Sequence, residues 1–252
     1  MLSKTYTKHI QSLHHKKGRD AAHSFIAEGN KVIMELLHSG KFKCEQLLGS
    51  EDWMKDHEVK IRRFYKGPLE IIDATELEKI SAMTTPNNVV GVFKKSASLK
   101  PVMRDQLVLA LDTIQDPGNL GTIIRIADWF GVREIICSPN SVEMYNPKVV
   151  QSTMGSLGRV NVHYLELANV LQSSPGGKIY GAALNGRSLK ELSPIKEGIL
   201  IVGNESKGIS AELLALATEK ITIPRVGAAE SLNAAVATGI ILSHLVDTGS
   251  KQ

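Results

Sequence analysis

From residue 107 onward, short apolar runs alternate with longer amphipathic stretches. Residues 107–111, 134–137, 160–165, 179–184, 199–202 and 221–223 are rich in aliphatic, mostly β-branched side chains, and each run is followed by a turn and a helix-like segment. Unbroken apolar strands alternating with helices predict a parallel sheet covered on both faces. A ligand of such a sheet sits in the loops beyond the carboxyl ends of the strands. The first hundred residues carry another pattern. Residues 25–29 read as a short strand or turn. Residues 30–38 read as a helix with Val32, Ile33, Leu36 and Leu37 on one face, ended by Gly40. Residues 44–48, 60–64, 70–72 and 89–93 read as short strands and residues 74–80 as a helix, which predicts a compact α/β module. Between the two patterns, residues 94–105 are polar and irregular, and Pro101 favours extended backbone. The expected division is a first domain over 1–98, a linker over 99–106 and a second domain over 107–252.

Composition narrows the class. The chain has 252 residues, 42% hydrophobic and 22% charged, which is the make-up of a globular protein and excludes a disordered or fibrous one. No apolar run approaches the ~20 residues of a membrane span. The start, Met1-Leu2-Ser3-Lys4, lacks the apolar core of a secretory signal, so a soluble, cytoplasmic protein with no membrane partner is expected. Cys44 and Cys137 stand apart without C-x-x-C spacing, and neither a disulfide framework nor a metal site is expected.

The net charge of +4 is unevenly placed. Residues 1–105 hold 18 Lys and Arg against 13 Asp and Glu, a net of +5, and residues 106–252 hold 12 against 13, a net of −1. Lys4, Lys8, Lys16, Lys17 and Arg19 meet no acid before residue 20. Such an excess at one end is the electrostatic footprint of a polyanion-binding module, and a solvated terminus is the plain alternative. Lys16, Lys17 and Arg19 are therefore candidate phosphate contacts. Lys148 is another, because Asn146-Pro147-Lys148 opens a helix whose first amides point at an anion.

Three loops beyond predicted strands carry unusual polar residues. The first runs Asp112 to Arg125, with Pro117-Gly118 forcing a turn and Asn119 expected to cap the helix that follows. Neither G-x-G-x-x-G nor G-x-x-x-x-G-K-[ST] occurs, so a common dinucleotide site and a P-loop are both unsupported. The second is Gly203-Asn204-Glu205-Ser206-Lys207-Gly208, a Gly-bounded turn directly after an apolar run. The third begins at Ile223-Pro224 and leads to Ser231-Leu232-Asn233, where Ser231 is expected to cap a helix rich in small residues that would pack tightly on a neighbouring helix.

Taken in order, N-x-G-x-x-x-R (Asn119, Gly121, Arg125), G-N-E-x-x-G (Gly203, Asn204, Glu205, Gly208) and I-P-x-x-G-x-x-x-S-L-N (Ile223, Pro224, Gly227, Ser231, Leu232, Asn233) resemble the three motifs of the SpoU (TrmH-type) family of RNA ribose 2′-O-methyltransferases in the SPOUT superfamily. The resemblance covers about residues 107–248. The first hundred residues resemble the substrate-binding domain of many members, a ribosomal-protein-like RNA-binding fold. The resemblance implies a parallel-sheet α/β domain with a trefoil knot, S-adenosylmethionine (S-adenosyl-L-methionine) bound in that knot, an rRNA or tRNA substrate, and a homodimer whose site borrows residues from both chains. It implies that Gly203, Ile223 and Leu232, with a turn at Ala183-Leu184, contact the cofactor, and that Ser231 and Asn233 complete the pocket. Arg125 would be the catalytic residue, with Asn119 and Glu205 arranging substrate and arginine. The family often reads V-S-V after S-L-N, whereas this chain has Ala234-Ala235-Val236 and lacks that hydroxyl. The guanidinium is either the base that takes the ribose proton or a fork on the neighbouring phosphate, since a group that gives up its own proton so reluctantly is an awkward base. A base methyltransferase and a catalytically silent RNA-binding protein of ribosome assembly are the alternatives.

Overall fold

The alternating runs fold as two separate sheets. The computed structural model describes residues 2–97, 99–174, 177–204 and 206–247, in two units.

In the first unit the basic terminus is helical: α1 spans Lys4–Ser12 and α2 spans Lys16–Ala22. Ser3 caps α1 by accepting from the Tyr6 amide, and Ile10 and Leu13 are fully buried in a core cluster with Ile26, Leu77 and Ile80. The terminus is thus not a solvated end. Strand β1 (Ser24–Glu28) leads into α3 (Asn30–Ser39), whose buried face is Val32, Ile33, Leu36 and Leu37 as the 3.6-residue period requires. Then come β2 (Cys44–Gly49), α4 (Glu51–Ile61), β3 (Leu69–Ile71), α5 (Ala74–Ile80) and β4 (Val89–Lys94). The strands run in the order β1-β4-β2-β3, with β4 antiparallel to both neighbours and β3 parallel to β2. The strand expected over 60–64 does not form. Ser50 caps α4 through the Trp53 amide, and the helix runs on through the β-branched Val59 and Ile61, so a locally nucleated helix overrides their strand preference.

The second unit begins with β5 (Leu107–Leu111), α6 (Pro117–Trp129) and β6 (Glu134–Cys137). The chain then contributes residues 143–159, including α7 (Pro147–Ser152), to the first unit before returning to β7 (Asn161–Tyr164). Next follow α8 (Leu167–Gln172), β8 (Ile179–Ser188), β9 (Gly198–Val202), α9 (Ala211–Leu216), β10 (Glu219–Thr222) and α10 (Ala234–Leu245). The six strands are all parallel, in the order β10-β8-β9-β5-β6-β7. Every residue of the central β5 and β9 is buried, as a strand covered on both faces demands. Among the described residues, no helix is long and apolar enough to cross a membrane.

Segment 143–159 is held in the first unit by charge and ring packing. Arg19 is 2% exposed, and its Nε and Nη2 donate to Glu143 Oε2 at 3.2 and 2.7 Å. Its Nη1 donates to the carbonyls of Leu13 and His14, both at 2.9 Å. The second Glu143 oxygen accepts from Lys95 at 2.8 Å, and Lys95 lies over the Tyr145 ring, which packs on Phe25. Arg19, a candidate phosphate contact by sequence, is consequently engaged inside the fold. Lys16, Lys17 and Lys148 are exposed.

Candidate active site

The carboxyl ends of β9 and β10 and the middle of β8 open onto a cleft of about 1240 Å³. Its walls are the β8 segment Ala182–Asn185, the loop beyond β9 and the stretch from Ile221 to Leu232. Ala183 and Leu184 do not form a turn at a strand end. They lie in an excursion within β8: Gly181 pairs with Lys220, yet the next β10 residue, Ile221, pairs with Arg187. The intervening residues are pushed out of the ladder and into the cleft wall. On the β9 side, Gly203 is forced by proximity, because a Cβ there would stand 2.1 Å from the Gly208 carbonyl carbon. Asn204 closes this loop, its backbone bonding Gly208 in both directions at 3.1 and 2.8 Å. Among the expected cofactor contacts, Ala183, Leu184, Gly203, Ile223, Ser231 and Leu232 all line the cleft.

Two capping expectations change. Asp116 caps α6, accepting from the Asn119 amide at 2.8 Å, with Pro117 in the first turn, so Asn119 sits inside the helix rather than at its cap. Asn233, not Ser231, caps α10, accepting from the amides of Ala235 and Val236. Asn233 Nδ2 donates to Asn119 Oδ1 at 2.8 Å, joining the first and third motifs across 114 residues of chain. Arg125 lies on the exposed face of α6 with Thr122 and Trp129, outside the cleft lining. Glu205 lies outside the described residues. The small residues of α10 receive α6: a Cβ on Gly239 would touch Ile126 at 3.6 Å.

Neither cysteine is an activated nucleophile. Burial pushes the Cys137 thiol, at the end of β6, well above its ordinary range, and burial raises Cys44 to about 12. Among the described residues no group of three or more His, Cys, Asp or Glu side chains is placed to hold a metal ion. The cleft instead offers backbone, small and aliphatic side chains and hydroxyls, with Lys207, Lys220, Arg225 and Glu230 also in its walls.

Residues 106–243 match the SpoU rRNA Methylase family and residues 4–91 match the MRM3-like substrate binding domain. The chain is 33% identical over 242 residues to the 23S rRNA (guanosine(2553)-2'-O)-methyltransferase RlmP of Bacillus subtilis, covering 94% of each. A solved structure of a TrmH-family protein from Porphyromonas gingivalis superposes with a TM-score of 0.85 at 35% identity, over 99% of this chain and 100% of that one. The AdoMet-bound rRNA methyltransferase of Sinorhizobium meliloti superposes at 0.83 with 31% identity, over 97% and 96%. The chain belongs to the SpoU methylase family. It is a methyltransferase of that family.

Proposed function

We propose that this protein methylates a ribose 2′-hydroxyl of ribosomal RNA. The observation that carries this is the Asn119–Asn233 hydrogen bond, which draws the N-x-G-x-x-x-R helix to the rim of a cleft already lined by the other two motifs. The ribosomal choice is supported by the activity named for the Bacillus subtilis relative and by the substrate-binding domain over residues 4–91.

S-adenosylmethionine supplies a methyl group on a sulfonium, and its transfer to oxygen is an in-line displacement in which alignment provides much of the rate. Gly203, Ile223 and Leu232 would hold the cofactor through backbone, Ala183 and Leu184 would wall it, and Ser231 and Asn233 would complete the pocket. Asn119, oriented by Asn233, would position the ribose, with Glu205 arranging the arginine. A guanidinium stays protonated, so Arg125 would serve as a fixed positive fork on the reacting nucleotide and its phosphate. Lys16, Lys17 and Lys148 would contact the RNA backbone. A trefoil knot in this domain is part of the same reading, as membership of the SpoU methylase family implies.

A homodimer fits the same geometry. Arg125 stands outside the cleft and shares its α6 face with Trp129, 84% exposed, while the outward side of α10 presents Val236 and Ile240. A second copy covering these side chains would bring its own Arg125 to a cleft whose lining does not include Arg125. The test incubates the full chain with labelled S-adenosylmethionine and ribosomal RNA, then maps the label. Resistance of the adjoining phosphodiester to alkali identifies a ribose 2′-O-methyl; label on a base, or none, favours one of the other two activities. Trp129→Glu is expected to sediment as a monomer and to lose label transfer together.

A further inference from the structure

Beyond the sheet's carboxyl edge, the loops after β5, β6 and β9 are tied by one small set of polar groups. Asp112, the first residue past β5, is buried; its Oδ2 accepts the Ser210 amide at 2.8 Å and its Oδ1 accepts the Thr113 hydroxyl at 2.9 Å. Thr113 has φ +59, the left-handed region that a β-branched residue rarely enters. Its amide donates to Ser138 Oγ at 2.8 Å and its carbonyl accepts from Asn204 Nδ2 at 3.1 Å. The Ser138 and Ser141 hydroxyls stand 3.1 Å apart, and Ser141 Oγ accepts the Ile114 amide at 3.2 Å. Asn204 Oδ1 meanwhile accepts from the amides of Ser206 and Lys207.

Two consecutive residues therefore grip the cleft-lining loop at both ends, Thr113 at Asn204 and Asp112 at Ser210. Neither lines the cleft itself. A bond from a carboxylate to a backbone amide is among the strong ones, and backbone strain of this kind persists only where its surroundings over-determine it. The same segment runs on through Asp116 into α6, which carries Asn119 and Arg125. We propose that Asp112 and Thr113 are positioning residues for S-adenosylmethionine binding: they fix the cleft-lining residues Gly203, Asn204, Gly208 and Ile209 in cofactor-holding places and set their register against the α6 helix. The inference rests on the cofactor assignment above.

Four variants of the full chain test it. Asp112→Ala removes the acceptor, and Asp112→Asn restores one. Ser210→Pro deletes only the donated N–H at a residue whose φ of −57° already suits proline, and Ser210→Ala is its control. Asp112→Ala and Ser210→Pro are expected to weaken S-adenosylmethionine binding, read by calorimetry, about tenfold or more, while Asp112→Asn and Ser210→Ala stay within about threefold of the parent. Hydrogen exchange of the peptide carrying Ser210, measured without cofactor, is expected to accelerate in Asp112→Ala and not in Asp112→Asn. Parental affinity in both Asp112→Ala and Ser210→Pro overturns the proposal. So does unchanged exchange in Asp112→Ala, or failure of Asp112→Asn to rescue it. A parent chain that binds no S-adenosylmethionine overturns the cofactor reading instead, and the exchange measurement still decides whether Asp112 holds the loop.

Discussion

Arg19 and Arg125 lie in helices of the two units, and their surroundings are opposite. Each nitrogen of the Arg19 guanidinium is engaged, two on Glu143 and one on the Leu13 and His14 carbonyls just past α1, with the side chain sealed from water. Arg125 is exposed on α6, a short distance along the helix from an asparagine pair that is itself ordered. A buried, fully bonded guanidinium is a structural bolt, since removing its partner strands a charge where water cannot reach it. An exposed one beside pre-positioned amides keeps its fork for a ligand. The difference teaches that charge excess locates a module, whereas only the bonding state of each cation tells which of its residues face outward.

The sharpest way to break this comparison is to exchange the two roles. Arg125→Ala is expected to cut label transfer to RNA by roughly 10²–10³-fold, the usual effect of losing one preorganised electrostatic group, with calorimetry showing cofactor affinity within a few-fold of the parent. Retained turnover would remove Arg125 from the chemistry. Arg19→Ala should act on stability instead, lowering it by ~1–3 kcal/mol in urea unfolding, because the buried bonds to the Leu13 and His14 carbonyls and to Glu143 are lost while Glu143 keeps Lys95. A melting curve unchanged in that variant would refute the bolt.

Asn233 allows a finer cut. Asn233→Ala should cost about 1 kcal/mol through the lost α10 cap as well as activity. Asn233→Asp keeps an acceptor for the Ala235 and Val236 amides and loses the donor to Asn119, so it should melt near the parent and still methylate about tenfold more slowly. The smallest effect belongs to Lys16→Glu with Lys17→Glu. RNA affinity should fall and the slope of log affinity against log salt should flatten by about one per lysine, with no change in melting, as read in a salt-titrated filter-binding series. Deleting residues 1–19 is not an equivalent experiment. It removes Ile10 and Leu13, each fully buried and together contributing several kcal/mol by the ~1.5–3 kcal/mol of a buried aliphatic side chain.

Much of the second unit was legible in the residues. Continuous apolar runs alternating with helices pointed to parallel strands, and the three motifs fall, in order, in the segments beyond β5, β9 and β10. The cleft-lining residues Gly203, Ile223, Ser231 and Leu232 follow from those motifs. Less legible were the helix starts. Asp116-Pro117 is a cap followed by a first-turn proline, a stronger local signal than Asn119, and Asn233 outcompetes Ser231 for the α10 amides. Strand 60–64 failed because β-branched residues at the end of a capped helix share their composition with strands.

The sequence by itself determined the α/β class, the family and several of the residues that line the cleft, because these rest on periodicity and on local turn chemistry. Only the tertiary structure decided what each polar side chain does once placed. It set Asn233 against Asn119, drew Arg19 inward to Glu143, and tied Asp112 to Ser210 across 98 positions of chain. Such bonds join residues remote in sequence, and their geometry depends on the strand order β9-β5-β6 and on loop closure, which no local pattern encodes.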